Sequence, residues 1–289
     1  MKIINSIKFF FSKKEILLID NEKKFDLIVP PLNESKFIGL DTEFIWKNTY
    51  YPKLSLLQIS TKNKIFILDC LKLNNLESLN EIFGNPDIKK IFHSMRGDLT
   101  VLYHSLNSEF NNLFDTQIAE AIITNSDSQI SYKNLVKNYY FKNLPKTETN
   151  SNWDSRPLTE NQIMYASDDV NFLIDIMINQ KKVIDYMMLE DKFDMACLKE
   201  KKLSEEPFVE SRLNRLVKKN RNISKLDKKI FVWRENEAHR RNIPPNNVFK
   251  DKELKRISKN LDAKNYNELK WIIENEESRK NFLLDFKWF

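Results

Sequence analysis

Two carboxylates spaced one residue apart, at the end of an apolar run, are the residues of this sequence that most directly suggest chemistry. The run Phe37–Leu40 ends in Asp41-Thr42-Glu43. A short apolar run bounded by polar sequence predicts a buried strand, and because strand side chains alternate faces, Asp41 and Glu43 leave the same face. Two such carboxylates repel each other, and a hard divalent cation such as Mg²⁺ binds oxygen ligands of this type. Taken alone, the pair is more typical of a strand end that reaches solvent.

Three later positions could complete a site with this pair. Asp98 lies at the start of a helical pattern, where it could also be a simple N-cap. Asp169 lies in a helix that a capping box of Thr159 and Gln162 opens, and Tyr165 stands one turn before it. An incidental pair on a helix surface would also explain Tyr165 and Asp169. If the four carboxylates converge, they can hold two Mg²⁺ or Mn²⁺ ions about 3.5–4 Å apart, which suits phosphodiester hydrolysis.

The elements that must position these residues follow from local patterns. Residues 54–60 and 64–69 predict two strands of a hairpin, and residues 72–83 predict a helix. The Pro30-Pro31 pair predicts that any helix before the opening strand is broken at these residues. Residues 142–158 are polar and irregular, which is typical of a functional loop.

Composition excludes several function classes. The chain has 289 residues, 41% hydrophobic and 30% charged, which fits a soluble globular protein of about two domains. Its three glycines cannot form a glycine-rich phosphate loop, and its two distant cysteines indicate ordinary thiols of a reducing compartment rather than a zinc site. No apolar run is long enough to cross a membrane, and no signal peptide is recognisable. We therefore expect a cytoplasmic protein that does not bind membranes.

Charge divides the chain unequally. Residues 201–289 contain 23 Lys/Arg and 14 Asp/Glu, whereas the rest of the chain is slightly acidic. This asymmetry favours metal-dependent chemistry in the first part and binding of a polyanion by the second. A solvated, lysine-rich surface explains the same numbers equally well.

Several motifs, in order, resemble the ribonuclease D group of DEDD-type 3′→5′ exonucleases, of the tyrosine subclass. They cover roughly residues 37–180 and are Asp41–Phe44, Thr49–Pro52, Leu57-Gln58, Phe92–Leu99, Asp115–Ala119, Trp153, Arg156–Thr159 and Tyr165–Val170. Farther along, Trp233–Glu235 and Ala238–Arg241 resemble the HRDC domain that follows the nuclease in this family.

The resemblance implies an α/β fold. A ribonuclease-H-like exonuclease domain, a mixed sheet flanked by helices, would occupy residues 37–204, and residues 1–36 would be an N-terminal extension of it. A small all-α HRDC-like domain that binds nucleic acid would occupy residues 208–289.

The resemblance also implies roles for individual residues. Asp41, Glu43, Asp98 and Asp169 would bind two divalent ions, Mg²⁺ or Mn²⁺, and Tyr165 would position the attacking water. Expected substrate-binding residues are Phe44, His93, Trp153, Arg156, Lys218, Lys219, Arg240 and Arg241. For His93 a structural role is the stronger expectation, and for Trp153 and Arg156 a packing role is equally supported.

The implied activity is 3′→5′ trimming of transfer-RNA precursors and other small structured RNAs, with release of nucleoside 5′-monophosphates. We expect a monomer without an obligate protein partner. Two other functions stay open: a 3′→5′ exonuclease that acts on DNA and a catalytically inactive nucleic-acid-binding protein. The DNA exonuclease stays open because proofreading domains use the same set of metal-binding carboxylates. Because all five expected site positions are filled, the inactive protein is disfavoured.

Overall fold

The computed structural model describes residues 14–145, 148, 151–220 and 222–286. These residues divide into two compact units. The first unit contains the described residues up to Phe44 together with Leu54–Lys201, and the second contains Ile45–Lys53 together with the described residues from Lys202 onward. Residues 1–13 of the predicted N-terminal extension lie outside the described part.

A six-stranded mixed sheet forms the centre of the first unit. Its strands are Glu15–Ile19 (β1), Phe37–Ile45 (β2), Lys53–Ser60 (β3), Lys64–Asp69 (β4), Lys89–Phe92 (β5) and Leu113–Asp115 (β6), in the spatial order β1-β4-β3-β2-β5-β6. Strands β3 and β4 are antiparallel, which confirms the predicted hairpin. Strand β2 runs parallel to β5, β5 to β6, and β1 to β4.

Helices flank this sheet, so the predicted mixed sheet with flanking helices is confirmed. They are Glu22–Asn33 (α1), Ser78–Gly84 (α2), Arg96–Leu106 (α3), Thr116–Ile123 (α4), Tyr132–Tyr140 (α5), Glu160–Asn171 (α6), Leu173–Tyr186 (α7) and Glu190–Glu205 (α8). The capping box at the start of α6, with Thr159 as N-cap and Gln162 at N3, is confirmed.

A close approach at Gly39 explains how α7 packs on the sheet. A β-carbon at Gly39 would lie 2.5 Å from the Ser60 hydroxyl oxygen and 3.0 Å from Cβ of Leu173. No side chain fits there without displacement. The glycine therefore lets β3 and the start of α7 close on the face of β2 that carries Asp41.

The prediction that Pro30-Pro31 interrupts any helix is wrong, because α1 includes both prolines. They lie in its last two turns, and the two carbonyl groups that lose a donor belong to Asp26 and Leu27, which are exposed to water. Burial of Phe25, Ile28 and Leu32 offsets the remaining cost.

The predicted helix over residues 72–83 is also wrong in its start. Helix α2 begins at Ser78. The preceding residues turn instead, since the backbone N–H groups of Lys72 and Leu73 both donate to the carbonyl of Asp69 at the end of β4. Leu73 and Leu76 are buried in this turn, and their spacing of three residues is the same as that of apolar residues on one face of a helix.

The second unit is helical. Its elements are Phe208–Lys219 (α9), Lys225–Arg240 (α10), Leu254–Asp262 (α11) and Glu276–Phe286 (α12), with short 3₁₀ turns between them. Its core includes Ile230, Ile257 and Phe282, and it also includes Tyr50 from the connection between β2 and β3. Among the described residues of both units, no helix combines the length and the apolar character needed to span a bilayer.

Candidate metal centre

Three of the predicted carboxylates meet at one point of the first unit. Carboxylate oxygens of Asp41, Glu43 and Asp169 all lie within 4.8 Å of one another. Strand alternation on β2 supplies the first two from one face, and α6 brings the third. The Ser60 hydroxyl on β3 donates a hydrogen bond to the carbonyl of Val170, at 2.8 Å, which fixes α6 against the sheet one residue beyond Asp169.

Asp98 lies beside this group in a different setting. It is 8% exposed, and its Oδ1 accepts hydrogen bonds from the backbone N–H of Thr42, at 3.0 Å, and from the Thr42 hydroxyl, at 2.6 Å. Met95 occupies the N-cap position of α3, so capping does not account for Asp98. The residue between the two carboxylates of β2 thus orients a third carboxylate from another element, a contact that sequence patterns did not reveal.

Burial raises the pKa values of all four carboxylates, and repulsion within the group adds to this for Asp41, Glu43 and Asp169. For Asp41, burial and then the charges of Asp98, Asp169 and Glu43 raise the pKa well above its ordinary value. Burial is also the main reason that the pKa of Glu43 rises to about 9, and those of Asp98 and Asp169 to about 7. None of the salt bridges found among the described residues involves these four groups. Such a set of oxygens fits a divalent cation, because a bound cation would remove the repulsion.

Tyr165 is hydrogen-bonded to one of these carboxylates. Its side chain makes a hydrogen bond to Asp169 that lowers the pKa of that carboxyl, against the larger effects of burial and of the Asp168 charge. Its ring centroid lies 6.1 Å from that of Trp153. Asp168 itself points elsewhere and forms an ion pair with Lys142, at 3.5 Å. Of the two adjacent aspartates, Asp169 is the one that joins the cluster, as the helical spacing predicted.

Sequence reasoning missed Tyr132, on α5. Its hydroxyl accepts a hydrogen bond from the backbone N–H of Phe172, at 3.1 Å. Burial raises its pKa well above the ordinary value, and the charges of Asp169 and Asp41 raise it further, so the hydroxyl lies beside the carboxylate cluster. Nothing in the pattern of α5 distinguishes this tyrosine from those at its other end.

Phe44 and His93, which were both predicted to bind substrate, differ in their surroundings. Phe44 follows Glu43 directly and is 37% exposed. His93 is partly buried with both ring nitrogens engaged, Nδ1 with the Thr116 hydroxyl at 2.9 Å and Nε2 with the carbonyl of Ile130 at 3.0 Å. Burial lowers the pKa of His93. These contacts support the structural role for His93 and leave Phe44 available to a ligand.

Trp153 and Arg156 are held by contacts inside the first unit. Trp153 is 5% exposed. The Arg156 guanidinium binds both carboxylate oxygens of Asp69, each at 2.7 Å, and also the Ser55 hydroxyl, at 3.1 Å. These bonds support a packing role for Arg156, since phosphate binding would require it to give them up.

The basic residues predicted to bind RNA differ in their surroundings. Lys218 and Lys219 are exposed at the C-terminal end of α9. Arg240 is paired with Glu237, at 2.8 Å, and with Glu277, at 2.9 Å. Arg241 donates to the Ser278 hydroxyl, at 3.0 Å. Substrate binding by any of these residues stays a prediction, and the lysines are the most accessible of them.

Models of two known protein families match the two parts of the chain. A family model described as 3′-5′ exonuclease matches residues 16–185, and one described as HRDC domain matches residues 225–272. The two resemblances predicted from the motifs are thereby confirmed.

Curated relatives are similar over most of the chain. A ribonuclease D from Bartonella henselae is 32% identical over 83% of this chain and 60% of its own length. One from Desulfotalea psychrophila is 33% identical over 76% of this chain and 60% of its own length. The chain thus spans about 60% of the length of these relatives.

Solved structures share the fold. Escherichia coli RNase D, described as an exoribonuclease involved in structured RNA processing, superposes with a TM-score of 0.76 at 24% identity, over 83% of this chain and 65% of that one. The catalytic core of RRP6 from Trypanosoma brucei gives a TM-score of 0.65 at 24% identity, over 86% and 71%.

Proposed function

The chain belongs to the 3′-5′ exonuclease family and carries an HRDC domain, and from this premise we propose that it is a metal-dependent 3′→5′ exoribonuclease of the ribonuclease D type. The observation that carries the proposal is the meeting of Asp41, Glu43 and Asp169 within 4.8 Å, with Asp98 beside them. Similarity to proteins named ribonuclease D favours RNA over DNA as the substrate.

Asp41, Glu43, Asp98 and Asp169 are proposed to hold two divalent ions, Mg²⁺ or Mn²⁺. Two ions bound side by side would polarise a water molecule and stabilise the charge on the leaving 3′-oxygen. The raised pKa values of the four carboxyls support this assignment, because they mark a site that lacks compensating positive charge.

The protein's own groups then have distinct tasks. Thr42 fixes one oxygen of Asp98 through two hydrogen bonds, which leaves the other oxygen for an ion. Tyr165, held by its hydrogen bond to Asp169, is placed to orient the attacking water through its hydroxyl. Phe44, exposed and adjacent to Glu43, is positioned to contact the terminal base.

We propose that the substrates are transfer-RNA precursors and other small structured RNAs. The enzyme would trim their 3′ ends and release nucleoside 5′-monophosphates. Lys218 and Lys219 on the second unit would bind RNA phosphates. We propose a cytoplasmic monomer without an obligate protein partner. Its two cysteines, Cys70 and Cys197, are both free thiols, which supports a reducing compartment.

The test is a transfer-RNA precursor with a 3′ extension, labelled at its 5′ end and incubated with Mg²⁺ or with EDTA. The wild type should produce a ladder that shortens from the 3′ end only with Mg²⁺. Asp41→Asn should lower the rate by at least about 10³-fold. Asp168→Asn is the matched control, since this aspartate neighbours Asp169 but pairs with Lys142, and it should stay within a few-fold of the wild type.

Three results would contradict the proposal. Cleavage at internal positions would indicate an endonuclease. Preference for a DNA of the same sequence over the RNA would indicate the DNA exonuclease. Tight binding without cleavage of either would indicate an inactive nucleic-acid-binding protein.

A further inference from the structure

Gln58, on β3, has a buried side-chain amide without a partner. The residue is 0% exposed, and neither its Nε2 nor its Oε1 has a hydrogen-bond partner among the described residues. Burying an amide in this way is costly, and such a group in a native fold requires an explanation. A glutamine would not be favoured here over methionine or leucine if it only filled space.

Strand geometry places this amide beside Asp41. Gln58 and Ser60 are two residues apart on a regular part of β3 and share one face. The Ser60 hydroxyl lies 2.5 Å from a β-carbon built at Gly39, so these two residues are cross-strand neighbours. Strands β2 and β3 are adjacent and joined by only residues 46–52, which requires them to be antiparallel. A step of two residues along each strand then brings Gln58 next to Asp41.

We propose that Gln58 is a positioning residue for the metal centre. When a divalent ion is bound, its amide Nε2 donates a hydrogen bond to one carboxylate oxygen of Asp41, and the other oxygen of Asp41 binds the ion. Metal ligands are commonly oriented by such partners. The inference rests on the proposed function, since it requires that the four carboxylates of the metal centre bind a divalent ion.

Gln180, on α7, provides the contrast that makes the proposal testable. It is also 0% exposed, but its Nε2 donates to the carbonyl of Thr116, at 2.9 Å, and to Glu120, at 3.0 Å. These partners lie on α4 and none is one of the four carboxylates. The amide nitrogen of Gln180 is thus satisfied without metal, although its Oε1 has no partner among the described residues, whereas neither polar atom of the Gln58 amide is satisfied.

The experiment compares Gln58→Met with Gln180→Met in the full-length chain, because methionine retains the length and loses the amide. Binding of Mn²⁺ alone is measured by titration calorimetry, and thermal unfolding is measured in EDTA. Gln58→Met should weaken Mn²⁺ binding by about 10-fold or more. It should unfold in EDTA at or above the wild-type temperature, because it removes an unsatisfied group.

Gln180→Met should show the opposite pattern, with wild-type affinity for Mn²⁺ and a lower unfolding temperature. In RNA cleavage measured over a range of substrate concentrations, Gln58→Met should lower kcat and leave KM within about two-fold. A role in packing alone predicts reduced stability with unchanged Mn²⁺ binding.

The remaining outcomes refute either the role of Gln58 or the proposed function. If the wild type binds Mn²⁺ and Gln58→Met binds it equally well, the role of Gln58 is refuted and the proposed function stands. If the wild type does not bind Mn²⁺, the proposed function itself fails. If Gln58→Met does not fold, Gln58→Leu takes its place, and failure of both to fold would show that the amide is needed without metal, which also refutes the role of Gln58.

Discussion

Replacing Asp169 by asparagine should stabilise the metal-free protein while it removes a proposed metal ligand. Burial, then the Asp168 charge, raises the pKa of Asp169 to about 7 from an ordinary 3.8. A difference of this size corresponds to roughly 4 kcal/mol by which ionisation disfavours the folded state. Asparagine has the same shape and can accept the hydrogen bond from Tyr165, so the gain should appear almost undiminished.

The sign of the effect fixes its pH dependence. Because the folded-state pKa lies above the unfolded one, the wild type loses stability as the pH rises from about 4 to about 7. The advantage of Asp169→Asn should therefore be absent near pH 4 and complete by pH 8. At pH 8 it should raise the thermal midpoint by roughly 8–16 °C.

Thermal unfolding in EDTA at several pH values measures this advantage, and a second series with Mn²⁺ measures the lost ligand. With metal, the wild type should gain stability at pH 8 and the variant should gain little. Asp115→Asn is the control, because Asp115 is a buried carboxylate that accepts hydrogen bonds from four backbone N–H groups, at 2.8 to 3.2 Å. It should lose stability at pH 8, by about 1–3 kcal/mol.

A lower midpoint for Asp169→Asn than for the wild type, in EDTA at pH 8, would refute the reasoning. It would mean that the carboxylate stabilises the fold without metal. An advantage of equal size at pH 4 and pH 8 would refute the electrostatic cause, since a charge effect must disappear where the wild-type carboxyl is protonated in both states.

Three further substitutions test other contacts. Arg156→Lys should lower stability by about 1–3 kcal/mol in chemical denaturation, because lysine cannot bind both oxygens of Asp69, and RNA affinity should be unchanged. A selective loss of RNA affinity would restore the substrate role. Gly39→Ala should cost about 1–3 kcal/mol by the same assay, because its methyl group would lie 2.5 Å from a hydroxyl oxygen, and an unchanged midpoint would contradict the close approach. Replacing Lys218 and Lys219 together by glutamine should weaken RNA binding and reduce the slope of log affinity against log salt by about 1–2, whereas an unchanged slope would exclude them from phosphate contact.

Patterns with a fixed period predicted which carboxylates come together. The alternation on β2 placed Asp41 and Glu43 on one face, and the helical spacing of α6 selected Asp169 over Asp168. Both inferences use only the geometry of one element. The helix at Pro30-Pro31 was missed because its stability depends on buried contacts of α1 with other elements, which local propensity does not contain.

Contacts between elements explain what the sequence could not predict. Tyr132 lies beside the carboxylates because α5 packs near the start of α7, and no periodicity within α5 records this. The bond from Thr42 to Asp98 joins residues 56 positions apart. For His93 and Arg156 the sequence left both a substrate role and a structural role open, and their hydrogen bonds, visible only in the folded chain, are made to the protein itself.

The connection between β2 and β3 has a consequence for synthesis of the protein. Trp46, Tyr50 and Tyr51 belong to the second unit, where Tyr50 is buried and its hydroxyl donates a hydrogen bond to Glu235, at 3.4 Å. On the ribosome these aromatic residues precede α9 by roughly 160 positions, which at about 5–20 residues per second is a delay of roughly 8–30 s. Until then their final partners do not exist. The nascent chain therefore exposes three aromatic side chains throughout this interval, which is when a chaperone would bind them most readily.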